Sequence, residues 1–382
     1  MGKLNADFKG NWSPQMKENA VVQKDLNYIV ASIKPELNAI SSKKLLITGG
    51  AGFLGYYLIK SILHWNDKNK NTIWVWVYDN FARGIPSWIE ALSSRDDVRF
   101  VKHDITKPLP KNNADFSHII HAASIASPLY YRLNPIGTMD ANVQGLRILL
   151  DYALKQKETA TPVEGVLFFS SSEIYGDPTP ENIPTPETYR GNVSCTGPRA
   201  CYDESKRYGE TLCVNFAKHH GLPVKIARPF NNYGPGLKIT DKRVIPDFAR
   251  QIFNNEDITI LSDGGPTRTF CYVADAIAGY YKILVKGRAG EAYNIGVEAP
   301  EISIKELAKR MRNIAKKHFN YSGKIIYKTS KDKQYLTDSP ERRCPDITKA
   351  REQLGYSPSI DLDEGLLRTM YWYDNNLSGE DA

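Results

Sequence analysis

From Lys43 onward, short apolar runs alternate with longer stretches whose apolar positions recur at helical spacing. Lys44–Thr48 precedes Phe53–His64, Thr72–Tyr78 precedes Pro86–Leu92, and His118–His121 precedes Ile136–Leu154. Val166–Ser170 then precedes Arg199–His219, and Val224–Ala227 closes the series. Short unbroken apolar runs suit strands buried on both faces, and stretches with apolar residues three and four apart suit the helices that cover them. Strands alternating with helices at this interval make βαβ units, so the pattern predicts an α/β fold with a Rossmann doubly wound parallel sheet.

After Pro229 the rhythm loosens into loops rich in Gly, Pro and Asn, with helices expected near Val244–Phe253, Ser303–Phe319 and Leu362–Tyr373. Such a region predicts a smaller C-terminal substrate-binding lobe over the carboxyl ends of the strands, where open α/β sheets bind ligands. Before Lys43, Val22, Leu26, Ile29, Val30 and Ile33 recur at helical spacing, which predicts a helix over Val21–Ile33 packed on the body. The expected division is an N-terminal extension over 1–42 and a sheet domain over 43–230 with roughly 270–298. The lobe would take 231–269 with 299–380.

Apolar residues make up 41% of the 382 positions and charged residues 24%, which fits a folded globular chain rather than a disordered or fibrous one. The net charge of +7 comes from basic residues scattered along the chain, a poor match to a nucleic-acid partner but a reasonable one to a local anion pocket. Cys195, Cys201, Cys213, Cys271 and Cys344 are odd in number and lack metal-ligand spacing, so a reducing compartment and no metal site are expected. The polar start and the lack of any apolar run near 20 residues predict a cytoplasmic protein with no membrane partner.

Leu45-Leu46-Ile47-Thr48 runs into Gly49-Gly50-Ala51-Gly52-Phe53-Leu54-Gly55, a strand feeding a tight glycine turn and an apolar helix. Gly49 permits the turn, Gly52 lets backbone N–H groups approach a pyrophosphate, and Gly55 allows close packing of helix on strand. The second strand ends at Asp79, followed by Asn80. A carboxylate there accepts hydrogen bonds from the adenosine ribose and repels a 2′-phosphate, which favours NAD over NADP. Arg83 works slightly against that preference. Asp104, in His103-Asp104-Ile105 after a third strand, is placed to meet the adenine, although the spacing suits a loop cap equally.

Tyr202 and Lys206 stand four apart on one helical face, after Ser170-Ser171-Ser172 at a strand end. Lys206 is expected to lower the phenol pKa and hold the nicotinamide ribose, so that Tyr202 takes a proton from a sugar hydroxyl while a serine orients the same oxygen. Glu173, next to the serines, is a candidate second acid or base.

With these pieces, the chain from about residue 43 resembles the extended short-chain dehydrogenase/reductase family, and within it the UDP-glucuronic acid decarboxylases. The resemblance rests on Asp79-Asn80-Phe81, His121-Ala122-Ala123-Ser124, Ser127-Pro128, Asn134-Pro135, Ser172-Glu173-Ile174-Tyr175-Gly176 and Gly197-Pro198-Arg199-Ala200-Cys201-Tyr202-Asp203-Glu204. Asn231-Asn232-Tyr233-Gly234-Pro235, Arg268-Thr269-Phe270 and Pro345-Asp346-Ile347 extend it. It implies catalytic roles for Ser171, Glu173, Tyr202, Lys206 and Arg343. It implies cofactor contacts from Gly49, Gly52, Phe53, Leu54, Gly55, Asp79, Asn80, Asp104, Ile105 and Ala122. Ser127, Glu173, Asn231, Arg243, Arg268 and Arg343 would hold the nucleotide sugar. It also implies a homodimer through Ile136–Leu154 and Arg199–His219, and conversion of UDP-glucuronate to UDP-xylose through a 4-keto intermediate with NAD recycled.

Gly137, Gly236 and Cys344 stand where the family usually carries basic residues, and the loop Leu261-Ser262-Asp263-Gly264 lacks the family's usual aromatic. These departures keep open a 4,6-dehydratase or epimerase built on the same C4 oxidation. A non-catalytic NAD-binding scaffold is the other alternative, and the complete Ser171, Tyr202 and Lys206 set argues against it.

Overall fold

The computed structural model describes residues 14–111, 114–330 and 337–376, with side chains from residue 20. The polar N-terminal start and the last residues of the expected lobe lie outside them. Seven parallel strands form the central sheet: β1 (Lys44–Thr48), β2 (Trp74–Asp79), β3 (Val98–Lys102), β4 (His118–His121), β5 (Gly165–Phe169), β6 (Val224–Pro229) and β7 (Ala292–Ile295). Their order across the sheet is β7-β6-β5-β4-β1-β2-β3. The direction of winding reverses between β1 and β4, so the loops that follow these two strands part and leave a crevice above their carboxyl ends. Near-complete burial of β1, β4 and β5 explains their unbroken apolar sequences, since helices cover both faces.

The remaining strands are two- or three-residue pairings that stitch the lobe together, among them Thr267–Arg268 between Ile302–Ser303 and Arg342–Arg343. Helices Val244–Phe253, Ile304–His318 and Leu362–Asn376 complete the lobe.

Three expected elements differ in detail. The single helix expected over Ile136–Leu154 is divided into Pro135–Asp140, a π turn over Ala141–Gly145, and Leu146–Gln156. The extra residue of the π turn sets Asn142 inward, where Nδ2 donates to Ser205 Oγ at 2.9 Å. Pro86–Leu92 shrinks to a single turn, Ser87–Glu90. The helix before β1 runs over Pro14–Ser32 and is followed by another, Lys34–Ala39. Val22, Leu26, Ile29 and Ile33 are buried in the main core. Among the described residues no helix is long and apolar enough to cross a membrane, and no cluster has metal-ligand composition.

Candidate active site

One cavity of about 1420 Å³ runs from the glycine turn across the crevice and into the lobe. Its walls include Gly49, Gly52, Phe53, Leu54, Gly55, Asp79, Asn80, Asp104, Ile105 and Ala122 at one end. Ser127, Ser171, Glu173, Tyr202, Lys206, Asn231, Arg243, Arg268 and Arg343 line the rest. Every candidate residue from the sequence therefore borders one space, although not every one has a free polar group in it.

The cofactor end is built by geometry that only glycine permits. Gly49 has φ +72°, and a Cβ there would lie 2.5 Å from the Ala123 Cα. At Gly55 a Cβ would lie 2.0 Å from the Gly50 carbonyl oxygen, so the helix Phe53–Asn66 can begin only because that position is bare. Gly52 is the N-cap of this helix and offers no side chain to its first N–H groups. Those donors and the positive helix end form a cradle that suits a pyrophosphate. The Asp79 carboxylate accepts from Ala51 N at 3.0 Å and from Phe81 N at 2.8 Å, which fixes the turn and the next loop to each other. Burial raises its pKa, partly offset by these two bonds. Asp104 accepts from the backbone and hydroxyl of Thr106 through Oδ1 at 3.0 and 2.8 Å, so the loop cap is present while the residue also borders the cavity.

The acid–base group sits where β5 ends against the helix Ala200–His220. Lys206 is buried and donates to the Phe169 carbonyl oxygen at 2.7 Å, with its ammonium 5.6 Å from the centre of the Tyr202 ring. Burial pushes Lys206 down to about 7. Burial also pushes Tyr202 up to about 12, against a hydrogen bond with Ser171 that lowers it. The expected lowering of the phenol by Lys206 does not appear: burial outweighs the lowering by Ser171 and Arg243. Ser171 Oγ further accepts from the Glu173 backbone N at 3.2 Å, which caps the short turn carrying Glu173.

Glu173 is the electrostatic centre of the lobe side. Arg199 and Arg343 both donate to its carboxylate, Arg343 through two nitrogens, with Nη2 at 2.7 Å from Oε2. Burial would raise the Glu173 pKa, but Arg199, Arg343 and the nearby Arg268 together pull it well below the usual carboxylate range. Arg268 is itself held by three carbonyl groups, those of Thr267, Pro340 and Glu341. Arg243 pairs with Asp241, and its guanidinium carbon lies 5.8 Å from the centre of the Phe53 ring, beside the glycine turn. Ser127 donates to the Asp241 carbonyl at 2.9 Å, and Asn231 donates to that of Thr269 at 2.9 Å. These last two serve the walls through their side chains.

Five residues outside the expected set belong to this arrangement. Arg199 bridges Glu173 and Asp203, and burial beside Glu173 raises the Asp203 pKa to about 7. Tyr131 stacks on Tyr202 with ring centres 5.2 Å apart and planes at 13°. Asn142 reaches the Tyr202 helix through Ser205, whose hydroxyl donates to the Tyr202 carbonyl at 3.0 Å. Gly137 and Gly236, two of the positions where relatives usually carry basic residues, do border the cavity. Cys344, the third, is buried, with its thiol 3.3 Å from the Glu298 carbonyl oxygen.

A family model described as NAD dependent epimerase/dehydratase family matches residues 45–296. Among curated proteins, UDP-glucuronic acid decarboxylase 5 of Arabidopsis thaliana is 36% identical over 326 residues, covering 85% of this chain and 88% of its own length. UDP-glucuronic acid decarboxylase 1 of Xenopus tropicalis is 35% identical over 335 residues, covering 88% and 73%. Among solved structures, a dTDP-glucose 4,6-dehydratase from Streptomyces venezuelae with NAD bound has a TM-score of 0.74 at 25% identity, covering 87% of this chain and 97% of that one. The match over the sheet and crevice, and relatives of this identity over most of the chain, lead to one conclusion: the chain belongs to the NAD dependent epimerase/dehydratase family.

Proposed function

We propose that the chain uses NAD to decarboxylate UDP-glucuronate to UDP-xylose through a 4-keto intermediate. The observation that carries this reading is the direct pairing of Arg199 and Arg343 with the Glu173 carboxylate, with Arg268 nearby. Three cations against Glu173 and Asp203, the latter with its pKa raised to about 7, leave surplus positive charge on the wall beside Tyr202, which suits a sugar that carries its own carboxylate. The curated relatives are UDP-glucuronic acid decarboxylases, which supports the same substrate.

The glycine cradle, the Asp79 carboxylate and Lys206 would hold the dinucleotide. When bound, NAD supplies the acceptor for the hydride from sugar C4 and a positive charge on its nicotinamide ring. Tyr202, hydrogen-bonded to Ser171, would take the proton of the C4 hydroxyl in its phenolate form, which the positive charge of the bound nicotinamide favours over the phenol. With C4 a ketone, the C6 carboxylate is β to a carbonyl, and carbon dioxide leaves as its bonding electrons pass into an enolate on O4. The Tyr202 and Ser171 hydroxyls stabilise that oxygen, and C5 then takes up a proton; Tyr202 finally gives its proton back to O4 as the hydride returns to C4, which leaves UDP-xylose and NAD. Arginines that only gripped the sugar carboxylate would oppose its loss. Glu173 resolves this by competing for Arg199 and Arg343, replacing the anion that disappears.

A panel of UDP-, dTDP- and GDP-sugars tests the reading: carbon dioxide release from UDP-glucuronate supports it, and a 4-keto-6-deoxy product identifies a dehydratase instead. The same reading includes a homodimer. Leu133, Ile136 and Met139 are exposed on turns packed near the helix Ala200–His220, which exposes Tyr208 and Val214. Burying apolar groups of this kind against a second copy is the expected use of such a face.

A further inference from the structure

We propose that the N-terminal helix is a positioning element for the substrate lobe, acting through Asp25. The helix Pro14–Ser32 precedes the residues matched by the family model, so the family pattern does not account for it. Its packing needs are met by Val22, Leu26 and Ile29. Asp25 lies among them with no exposure at all, and a buried carboxylate is costly unless it is fully paired.

Asp25 is fully paired by groups from separate elements. Tyr57 Oη, on the helix that begins at the cofactor cradle, donates at 2.6 Å, and Tyr272 Oη donates at 2.6 Å. Arg368 Nη1, on the helix Leu362–Asn376, is 2.5 Å away. An apolar residue would pack here without fixing direction, whereas Asp25 holds Arg368 of the Leu362–Asn376 helix in a fixed direction relative to Tyr57 and Tyr272 on two other elements.

That helix backs the cavity. Trp372, one turn beyond Arg368, lines it, and Tyr373 Oη donates to the Leu237 carbonyl at 2.8 Å. Leu237, Asp241 and Arg243 form the adjoining wall, with Asp241 holding Arg243 by its carboxylate and Ser127 by its carbonyl. Displacement of the helix therefore moves the wall that faces the nucleotide sugar and leaves Tyr202 and Lys206 in place on the helix Ala200–His220.

The kinetic part of the inference rests on the reading of this cavity as a nucleotide-sugar site. The test compares the full chain with Asp25→Asn, measuring KM and kcat for UDP-glucuronate, NAD affinity, UDP affinity by calorimetry, and amide hydrogen exchange. The expected result is a rise of about tenfold in KM, a matching weakening of UDP binding, and kcat and NAD affinity within about twofold. Exchange should quicken in 362–376 and 234–243. A folded variant with unchanged KM and UDP affinity, and faster exchange confined to 14–40, overturns the inference and leaves Asp25 a local stabiliser.

If Asp25→Asn fails to fold, Lys24→Ala with Tyr28→Phe loosens the same helix by removing its ties to Glu364 and Asp275. The same direction of change is expected at about threefold, and unchanged UDP affinity counts against the inference. If the wild-type chain binds UDP but does not turn over UDP-glucuronate, the substrate reading fails by itself. UDP affinity and exchange then still decide the role of Asp25.

Discussion

The Lys206 ammonium donates to the carbonyl oxygen of Phe169 at 2.7 Å, and burial brings its pKa down to about 7. A lysine held this way costs stability, because between pH 7 and the ordinary lysine value the unfolded chain binds a proton that the folded chain resists. The penalty is fully present below pH 7 and is relieved as pH rises toward the ordinary value. Lys206→Met is therefore expected to raise the melting temperature of the ligand-free protein by a few degrees at pH 6 to 7 while abolishing turnover. Calorimetry across pH checks it, and the gain should shrink as pH approaches 10.

Tyr202→Phe removes the hydroxyl that takes and returns the sugar proton while keeping the ring that stacks on Tyr131. Turnover should fall by about 10³-fold, with NAD and UDP binding within a few-fold of wild type. Loss of binding in parallel with turnover would assign the phenol to the site's architecture instead.

Glu173→Gln leaves Arg199 and Arg343 facing a neutral amide. The folded carboxyl titrates well below the usual range because of these arginines, so its stabilising contribution is present above the ordinary pKa and is lost as pH falls through the lowered one. The stability gap between wild type and variant should close in strongly acidic solution and should also narrow as pH rises toward 7, because the variant lacks the Glu173 charge that helps raise Asp203. Turnover should drop by about 10²-fold or more, since the arginines lose the anion that replaces the departing carboxylate.

Ile136→Asp and Val214→Asp each place a charge on the exposed apolar face. Light scattering should show wild type at twice the chain mass and the variants shifted toward the monomer. A wild-type monomer at micromolar concentration would contradict the proposed dimer.

The sheet was legible because strands buried on both faces leave unbroken apolar runs, and the glycine turn because Gly49 and Gly55 occupy positions where a Cβ collides with backbone. The arginine cluster was less legible. Arg199 stands three residues before Tyr202 in a recognisable motif, yet nothing local says that its guanidinium turns back to Glu173, 26 positions earlier. Tyr131 reads as one of two adjacent tyrosines, and only the packing of separate segments brings its ring onto Tyr202. Asn142 is hidden by the helical periodicity around it, because a π turn preserves the pattern on both sides while changing which side chain points inward. The lobe's short strands carry no pattern of their own at two or three residues, and tertiary pairing alone defines them.

The proposed chemistry is tested most directly with UDP-glucuronate carrying ¹³C at C6, followed by carbon NMR with the purified protein and a catalytic amount of NAD. The account predicts that the carboxylate signal decays while a bicarbonate signal grows in equal measure, with UDP-xylose as the sugar product. Retention of the label in the sugar while a C4-oxidised or epimerised product accumulates would contradict it.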